Sequence, residues 1–105
     1  MVSKYLYFFG ANQTEGNGDL YDLLGGKGAN LAEMSNLGIQ VPPGFTISTE
    51  VCSYYFDHKN NLPPDLWENV LTYLKKLETI MDKSFGDAYN PLLVSVRSGA
   101  RVSMP

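Results

Sequence analysis

Three glycines surround one lysine near the start of the chain, at Gly25, Gly26, Lys27 and Gly28. Apolar residues recur at helical spacing directly after them, which predicts a turn that opens an amphipathic helix over residues 28–37. The first N–H groups of a helix lack intrahelical partners and attract anions, and a nearby lysine adds a positive charge. The segment is therefore typical of a phosphate site, although it is not a Walker A motif, in which Ser or Thr follows the lysine.

A second candidate for anion binding is Arg97, at the end of an apolar run over residues 92–97. A nearly continuous apolar run predicts an inner strand, and alternation places Leu92, Val94 and Val96 on one of its faces. A guanidinium at the end of a buried strand needs an anionic partner, because an unpaired charge in a dry site is strongly destabilising.

The residues alone leave two interpretations open at both positions. Lys27 is either an anion ligand or a solvated residue beside a tight glycine turn, and Arg97 pairs either with an internal carboxylate or with a ligand phosphate. His58 shares a predicted helix face with apolar residues, and no basic residue lies near Cys52 in the sequence. We therefore interpret His58 as a packing or partly exposed residue, and Cys52 as a small core residue and not as a nucleophile.

The elements predicted to position these residues alternate between short strands and helices. They are a strand at 5–9, the helix at 28–37 with Gly38 as its left-handed cap, a strand at 44–47, a second helix capped by Ser48 or Thr49, and a long third helix. The expected buried faces are Leu31, Met34 and Leu37 in the first helix, Val51, Tyr54, Tyr55 and His58 in the second, and Leu66, Val70, Leu71, Leu74, Leu77 and Met81 in the third. The pattern predicts an α+β fold with a few short strands packed against three helices.

The composition is that of one small globular domain over residues 1–105. The chain is 44% hydrophobic and 18% charged, with a net charge of −3, and its eight Lys and Arg residues are scattered, which argues against nucleic-acid binding. No apolar run is long enough to span a membrane, and a single cysteine fits a reducing compartment, so we expect a cytoplasmic protein. The apolar run near Pro105 is followed by no closing helix, and we expect a partial domain there.

The sequence resembles the N-terminus of the pyruvate phosphate dikinases. The resemblance is carried by three segments in order: KYLYFFG at 4–10, GGKGANLAEMSNLGIQVPPGFTISTEVCSYYF at 25–56, and PLLVSVRSGARVSMP at 91–105. It implies the first part of an ATP-grasp nucleotide-binding domain, with Lys27 and Arg97 matching the family's ATP phosphate ligands. Gly26, Gly28, Ser98 and Arg101 lie beside these two residues in the motifs and are possible loop contacts.

The resemblance also implies the chemistry of the whole family. In its members, ATP phosphorylates a histidine on a separate domain, and the net reaction interconverts ATP, pyruvate and phosphate with AMP, phosphoenolpyruvate and pyrophosphate. Mg²⁺ is required with ATP, and the resemblance implies that its ligands lie outside these residues, as does the phosphorylated histidine, so we do not interpret His58 as that histidine. The resemblance therefore implies no catalytic residue and no metal ligand within this chain, no activity for the chain alone, and a homodimeric parent.

Three alternatives remain open at this point. The related phosphoenolpyruvate synthases share a looser GGK and VRS pattern, although the longer SVRSGARVSMP match favours a dikinase. The chain could also be a non-catalytic nucleotide- or anion-binding module that keeps the glycine-lysine turn. In the third alternative it is a purely structural or interaction domain, in which Lys27 and Arg97 both pair with internal carboxylates.

Overall fold

The computed structural model describes residues 4–96, so Arg97, Ser98 and Arg101 lie outside the described residues. The elements in chain order are β1 (Leu6–Phe9), α1 (Tyr21–Asn36), β2 (Gly44–Ile47), α2 (Glu50–Asp57) and α3 (Leu66–Met81). This order of two strands and three helices confirms the predicted small α+β fold. The third helix is not the single longest one, because α1 and α3 both span 16 residues, whereas α2 spans eight.

The two strands form an antiparallel pair in the middle of three layers. Phe8 pairs with Phe45 and Tyr7 with Thr46, so each pair shares one face of the sheet. Phe8 is fully buried against Leu77 of α3. Tyr7 lies on the opposite face and packs against Leu24, Ala29 and Ala32 of α1. The alternation of strand side chains therefore divides the core between α1 on one side and α2 with α3 on the other.

The core-facing stripe of the third helix is shifted from the one that the sequence predicted. Leu66 and Leu77 are buried, and Val70, Leu74, Tyr73 and Ile80 pack partly buried beside the core. Leu71 and Met81 were expected on the same face, but they are 47% and 38% exposed. Tyr73 and Ile80 pack against the core in their place, so the helix is rotated about its axis relative to the predicted orientation.

The predicted strand at 92–97 is wrong for its described part, since residues 92–96 form no strand. Leu92 is buried against Phe8 and Leu77, but Leu93 is 85% exposed and Val96 is 93% exposed. The apolar pattern alone cannot make a strand, because a strand needs a neighbour to take its backbone hydrogen bonds. Within residues 4–96 neither β1 nor β2 pairs with this segment.

Polar groups from other segments occupy the outer edge of β1. The Phe8 N–H donates to Glu15 Oε1 at 2.8 Å, and the Glu15 N–H donates to the Phe8 carbonyl at 2.8 Å. Further along the edge, the Tyr73 hydroxyl lies 3.4 Å from the Leu6 carbonyl, and the Gly10 N–H donates to Ser35 Oγ at 3.2 Å. Glu15 therefore pairs with Phe8 much as a neighbouring strand would.

The Glu15 carboxylate is also the centre of a polar network. It accepts from Lys4 Nζ at 2.9 Å and from the Tyr73 hydroxyl at 2.8 Å. Burial alone would raise the pKa of Glu15, but hydrogen bonds from Lys4, the Phe8 N–H and Tyr73 outweigh it and hold that pKa below its ordinary 4.5. Burial alone would lower the pKa of Lys4, but its hydrogen bonds with Glu15 and Tyr73 outweigh burial and raise that pKa above 10.5.

We predict that Glu15→Ala lowers the free energy of unfolding by about 1–3 kcal/mol, because the Phe8 N–H loses its acceptor and a charge-assisted network is broken. Glu68→Ala is the matched control. Glu68 is exposed like Glu15, but within residues 4–96 its carboxylate makes no hydrogen bond or ion pair, so the change should stay within about 0.5 kcal/mol. Urea titration followed by circular dichroism measures both values, and equal losses in the two variants would contradict the role of Glu15.

The pH dependence of unfolding checks the same carboxylate. The pKa of Glu15 is lower in the folded chain, so its contribution is fully present above the unfolded value near 4.5 and disappears as the pH falls through the lower folded value. We therefore expect Glu15→Gln to flatten the loss of stability below pH 4.5 relative to the unsubstituted chain, with Glu68→Gln again as the control.

Candidate functional site

Helix α1 consists of two helical segments that meet at Gly25. The helix begins at Tyr21 and not at residue 28 as predicted, but the backbone leaves helical geometry at Gly25, where φ is 75° and ψ is 167°. This conformation is essentially restricted to glycine. The predicted glycine turn therefore exists, and it lies inside the helix instead of ahead of it.

The buried face of α1 consists of small residues. Gly28, Ala29 and Ala32 are buried with Leu24 and pack below Tyr7. A Cβ at Gly28 would lie 2.9 Å from Thr46 Cγ2, so the helix backbone approaches β2 directly at this point.

The predicted apolar face of α1 is wrong. Leu31 is only partly buried, Met34 is 40% exposed and Leu37 is 69% exposed. The small residues occupy the core side because they permit a closer contact with the sheet, and the larger side chains then lie away from it. The predicted cap is confirmed, since Gly38 has φ 85° and its N–H donates to Ser35 while the Ile39 N–H donates to Met34.

Lys27 lies in the first turn of the helical segment that follows Gly25, and its side chain is exposed. The start of a helical segment carries a partial positive charge, which adds to the charge of the ammonium group. Gly26 lies beneath the Tyr21 ring, because a Cβ there would be 2.9 Å from the Tyr21 hydroxyl. The arrangement presents a cation and a helix start on one accessible surface, and this combination suits an anionic group.

The junction between β2 and α2 holds the segment just ahead of the turn. Thr49 Oγ1 donates to the Asp22 carbonyl at 2.7 Å, and the Thr49 N–H donates to the Leu23 carbonyl at 2.8 Å. Sequence reasoning missed this role and assigned Ser48 or Thr49 to capping. Thr49 does occupy the N-cap position of α2, but neither the hydroxyl of Thr49 nor that of Ser48 caps the helix. The only sequence signal was a pair of hydroxyl residues directly after a strand.

His58 and Cys52 show no arrangement typical of a reactive site. His58 is exposed, its ring stacks on Tyr54 at 3.6 Å, and its Nδ1 lies 2.9 Å from the Tyr54 carbonyl. Cys52 is exposed too, so its predicted place as a small core residue is wrong. The reason is its position on α2, where Val51 takes the buried side.

Residues 4–96 contain no group of three or more His, Cys, Asp or Glu side chains that could hold a metal ion. A polar depression of about 280 Å³ lies at the end of α3, and its lining residues are Lys75, Glu78, Thr79, Asp82, Lys83, Ser84 and Asn90. None of these belongs to the glycine-lysine turn. In the same part of the chain, no helix is long and apolar enough to cross a membrane.

Comparison with known proteins gives matches along the whole chain. A family model described as the pyruvate phosphate dikinase AMP/ATP-binding domain matches residues 21–62. Pyruvate, phosphate dikinase of Rickettsia conorii is 49% identical over 104 residues, and pyruvate, phosphate dikinase 2 of Zea mays is 53% identical over 103. Each alignment covers 98% or 99% of this chain but only 12% of the relative. The chain thus spans about an eighth of the length of these relatives.

We predict that Gly28→Ala destabilises the chain by about 1–3 kcal/mol, because the added methyl group overlaps Thr46 Cγ2. At an uncrowded helix position the same change would stabilise the chain by roughly 0.5–1 kcal/mol. The sign of the change in unfolding free energy therefore shows whether Gly28 is in close contact with Thr46. Adding Thr46→Ser removes the overlapping methyl group and should recover part of the loss. Additive effects of the two substitutions in a double-mutant cycle would contradict this explanation.

Proposed function

We propose that the chain, which is similar to pyruvate, phosphate dikinases along nearly its whole length, forms the N-terminal part of an ATP-binding domain and contacts the phosphates of ATP. The observation that carries the proposal is the break at Gly25, which places Lys27 at the start of a helical segment. This turn lies within residues 21–62, the part matched by the AMP/ATP-binding family model. A phosphate is the anionic group of ATP that such a turn suits.

Arg97 is proposed as the second phosphate ligand. Its guanidinium can donate two parallel hydrogen bonds to phosphate oxygens, whereas the Lys27 ammonium acts as a point charge. Phosphoryl transfer depends on charge placed around the transferring oxygens more than on a nucleophile from the protein. One lysine and one arginine therefore supply what this chemistry requires of a phosphate site.

The neighbouring loop residues contribute to the site in different ways under this proposal. Gly28 and Gly26 have no side chains, so each can offer a ligand only backbone groups. Gly28 packs against Thr46, and Gly26 lies beside the Tyr21 ring. Ser98 and Arg101, in the segment that follows Arg97, are proposed as further phosphate contacts. This proposal is supported by their place in the segment PLLVSVRSGARVSMP, which resembles the dikinases.

The wider activity is proposed for a protein of the relatives' size. There the ATP-binding domain, of the ATP-grasp type, would phosphorylate a histidine on another domain and so interconvert ATP, pyruvate and phosphate with AMP, phosphoenolpyruvate and pyrophosphate. Mg²⁺ would accompany ATP, with ligands other than the described residues. The family likeness supports a homodimer, and the single cysteine supports a reducing compartment such as the cytoplasm, although a dikinase of Flaveria pringlei is named chloroplastic.

A dikinase is preferred to a phosphoenolpyruvate synthase. The two relatives compared above carry the dikinase name and match nearly every residue of this chain. The exposure of Lys27 at the start of a helical segment supports a ligand-binding role over a purely structural one, because an anion can reach it there.

We predict that the chain binds ATP weakly, in the millimolar range, and that Lys27→Ala and Arg97→Ala each weaken binding by about tenfold or more. Each substitution removes at least one charge-assisted hydrogen bond to phosphate, worth roughly 1.5–3 kcal/mol. Lys75→Ala removes an exposed cation on α3 and serves as the control. Titration calorimetry with and without Mg²⁺ measures the dissociation constants, and unchanged affinity in both site variants would contradict the proposal.

The chain alone is predicted to be inactive as a dikinase. The family likeness implies that the phosphorylated histidine and the metal ligands lie outside these residues, and the His58 ring is stacked on Tyr54. Incubation with ATP, pyruvate, phosphate and Mg²⁺ should therefore give no AMP above background by chromatography. Formation of AMP that requires pyruvate would contradict this prediction.

A further inference from the structure

We propose that Thr49 is a positioning residue that fixes the orientation of the glycine-lysine turn. This inference rests on the proposed phosphate site for its functional meaning, but its structural basis is separate. Thr49 makes two hydrogen bonds to the segment just ahead of the turn, one from its hydroxyl to the Asp22 carbonyl and one from its N–H to the Leu23 carbonyl.

The direction of the Thr49 hydroxyl is unusual for its place in the chain. Thr49 is the N-cap residue of α2, where a threonine oxygen ordinarily accepts a hydrogen bond from an N–H of the first turn. Its backbone is helical instead of extended, with φ −64° and ψ −18°, and its side chain does not cap the helix. The hydroxyl instead donates to a residue 27 positions earlier in the chain. The Thr49 hydroxyl thus makes a long-range hydrogen bond to α1 and does not cap α2.

The two hydrogen bonds act close to the point where the backbone direction changes. Asp22 and Leu23 precede Gly25 by three and two residues, so they define the direction from which the chain enters the turn. On the far side of the turn, Gly28 packs on Thr46, three residues before Thr49. The same stretch of chain, from the end of β2 to the start of α2, therefore holds both sides of the turn.

Lys27 lies between these two fixed points. It is exposed and does not belong to the core, and the backbone on either side of it sets where its side chain begins relative to the sheet. Glycine at position 25 gives the backbone freedom to turn, and that freedom must be restricted elsewhere if the lysine is to have a defined position. Thr49 supplies the restriction on the upstream side.

The test compares Thr49→Val with Thr49→Ser. Valine keeps the shape and the N–H bond but loses the hydroxyl, whereas serine keeps the hydroxyl. The first readout is the ¹⁵N order parameter of Gly26 and Lys27, which is about 0.85 for rigid backbone and below about 0.6 for flexible backbone. We expect it to fall towards the flexible range in Thr49→Val only. Thr72→Val is the matched control, because its hydroxyl also donates to a backbone carbonyl, that of Glu68 within α3.

The second readout is the dissociation constant for ATP. It should increase by about fivefold in Thr49→Val, the equivalent of one neutral hydrogen bond, and remain within about twofold in Thr49→Ser and Thr72→Val. Unchanged order parameters and unchanged ATP affinity in Thr49→Val would overturn the positioning role while leaving the phosphate site intact. Lower order parameters in a chain whose unsubstituted form binds no ATP would support the positioning role and reject the proposed function.

Discussion

The close approach of α1 to β2 is the contact on which the arrangement of this molecule depends. It exists because Gly28 has no side chain and can lie against Thr46, with Ala29 and Ala32 extending the same flat surface. This contact fixes how far the helix lies from the sheet, and thereby where its exposed side stands. A lysine one residue before the contact is carried to the surface at a distance set by backbone packing. The chemistry of the candidate site is thus a consequence of small residues in the core.

The elements that were predicted correctly have strong local causes. Strands β1 and β2 follow from short runs of aromatic and β-branched residues between glycines and prolines, and the end of α1 follows from Gly38 in left-handed geometry. The errors concern interactions between distant residues. Leu31, Met34 and Leu37 are spaced as an apolar helix face in the sequence. In the folded chain, however, the small residues Gly28, Ala29 and Ala32 pack against the sheet. The run at 92–96 has the composition of a strand, yet composition supplies no partner.

The candidate site shows the same division between local and distant causes. The position of Lys27 beside a glycine turn was evident from spacing, because glycines and a helix start are properties of neighbouring residues. The role of Thr49 was not evident, since its hydroxyl bonds a carbonyl 27 residues away. Local rules assign a threonine after a strand to capping, and only the folded chain shows which of the two acceptable partners the hydroxyl takes.

The network around Glu15 gives the sheet one closed side. Along the outer edge of β1, the polar groups of Leu6, Phe8 and Gly10 contact Tyr73, Glu15 and Ser35. A carboxylate and its own backbone thus occupy the place that a third strand would take. The antiparallel pair can therefore grow in a single direction. Any additional strand would have to pair with the outer edge of β2, along the backbone of Phe45 and Ile47. The sheet can therefore be extended on that side alone.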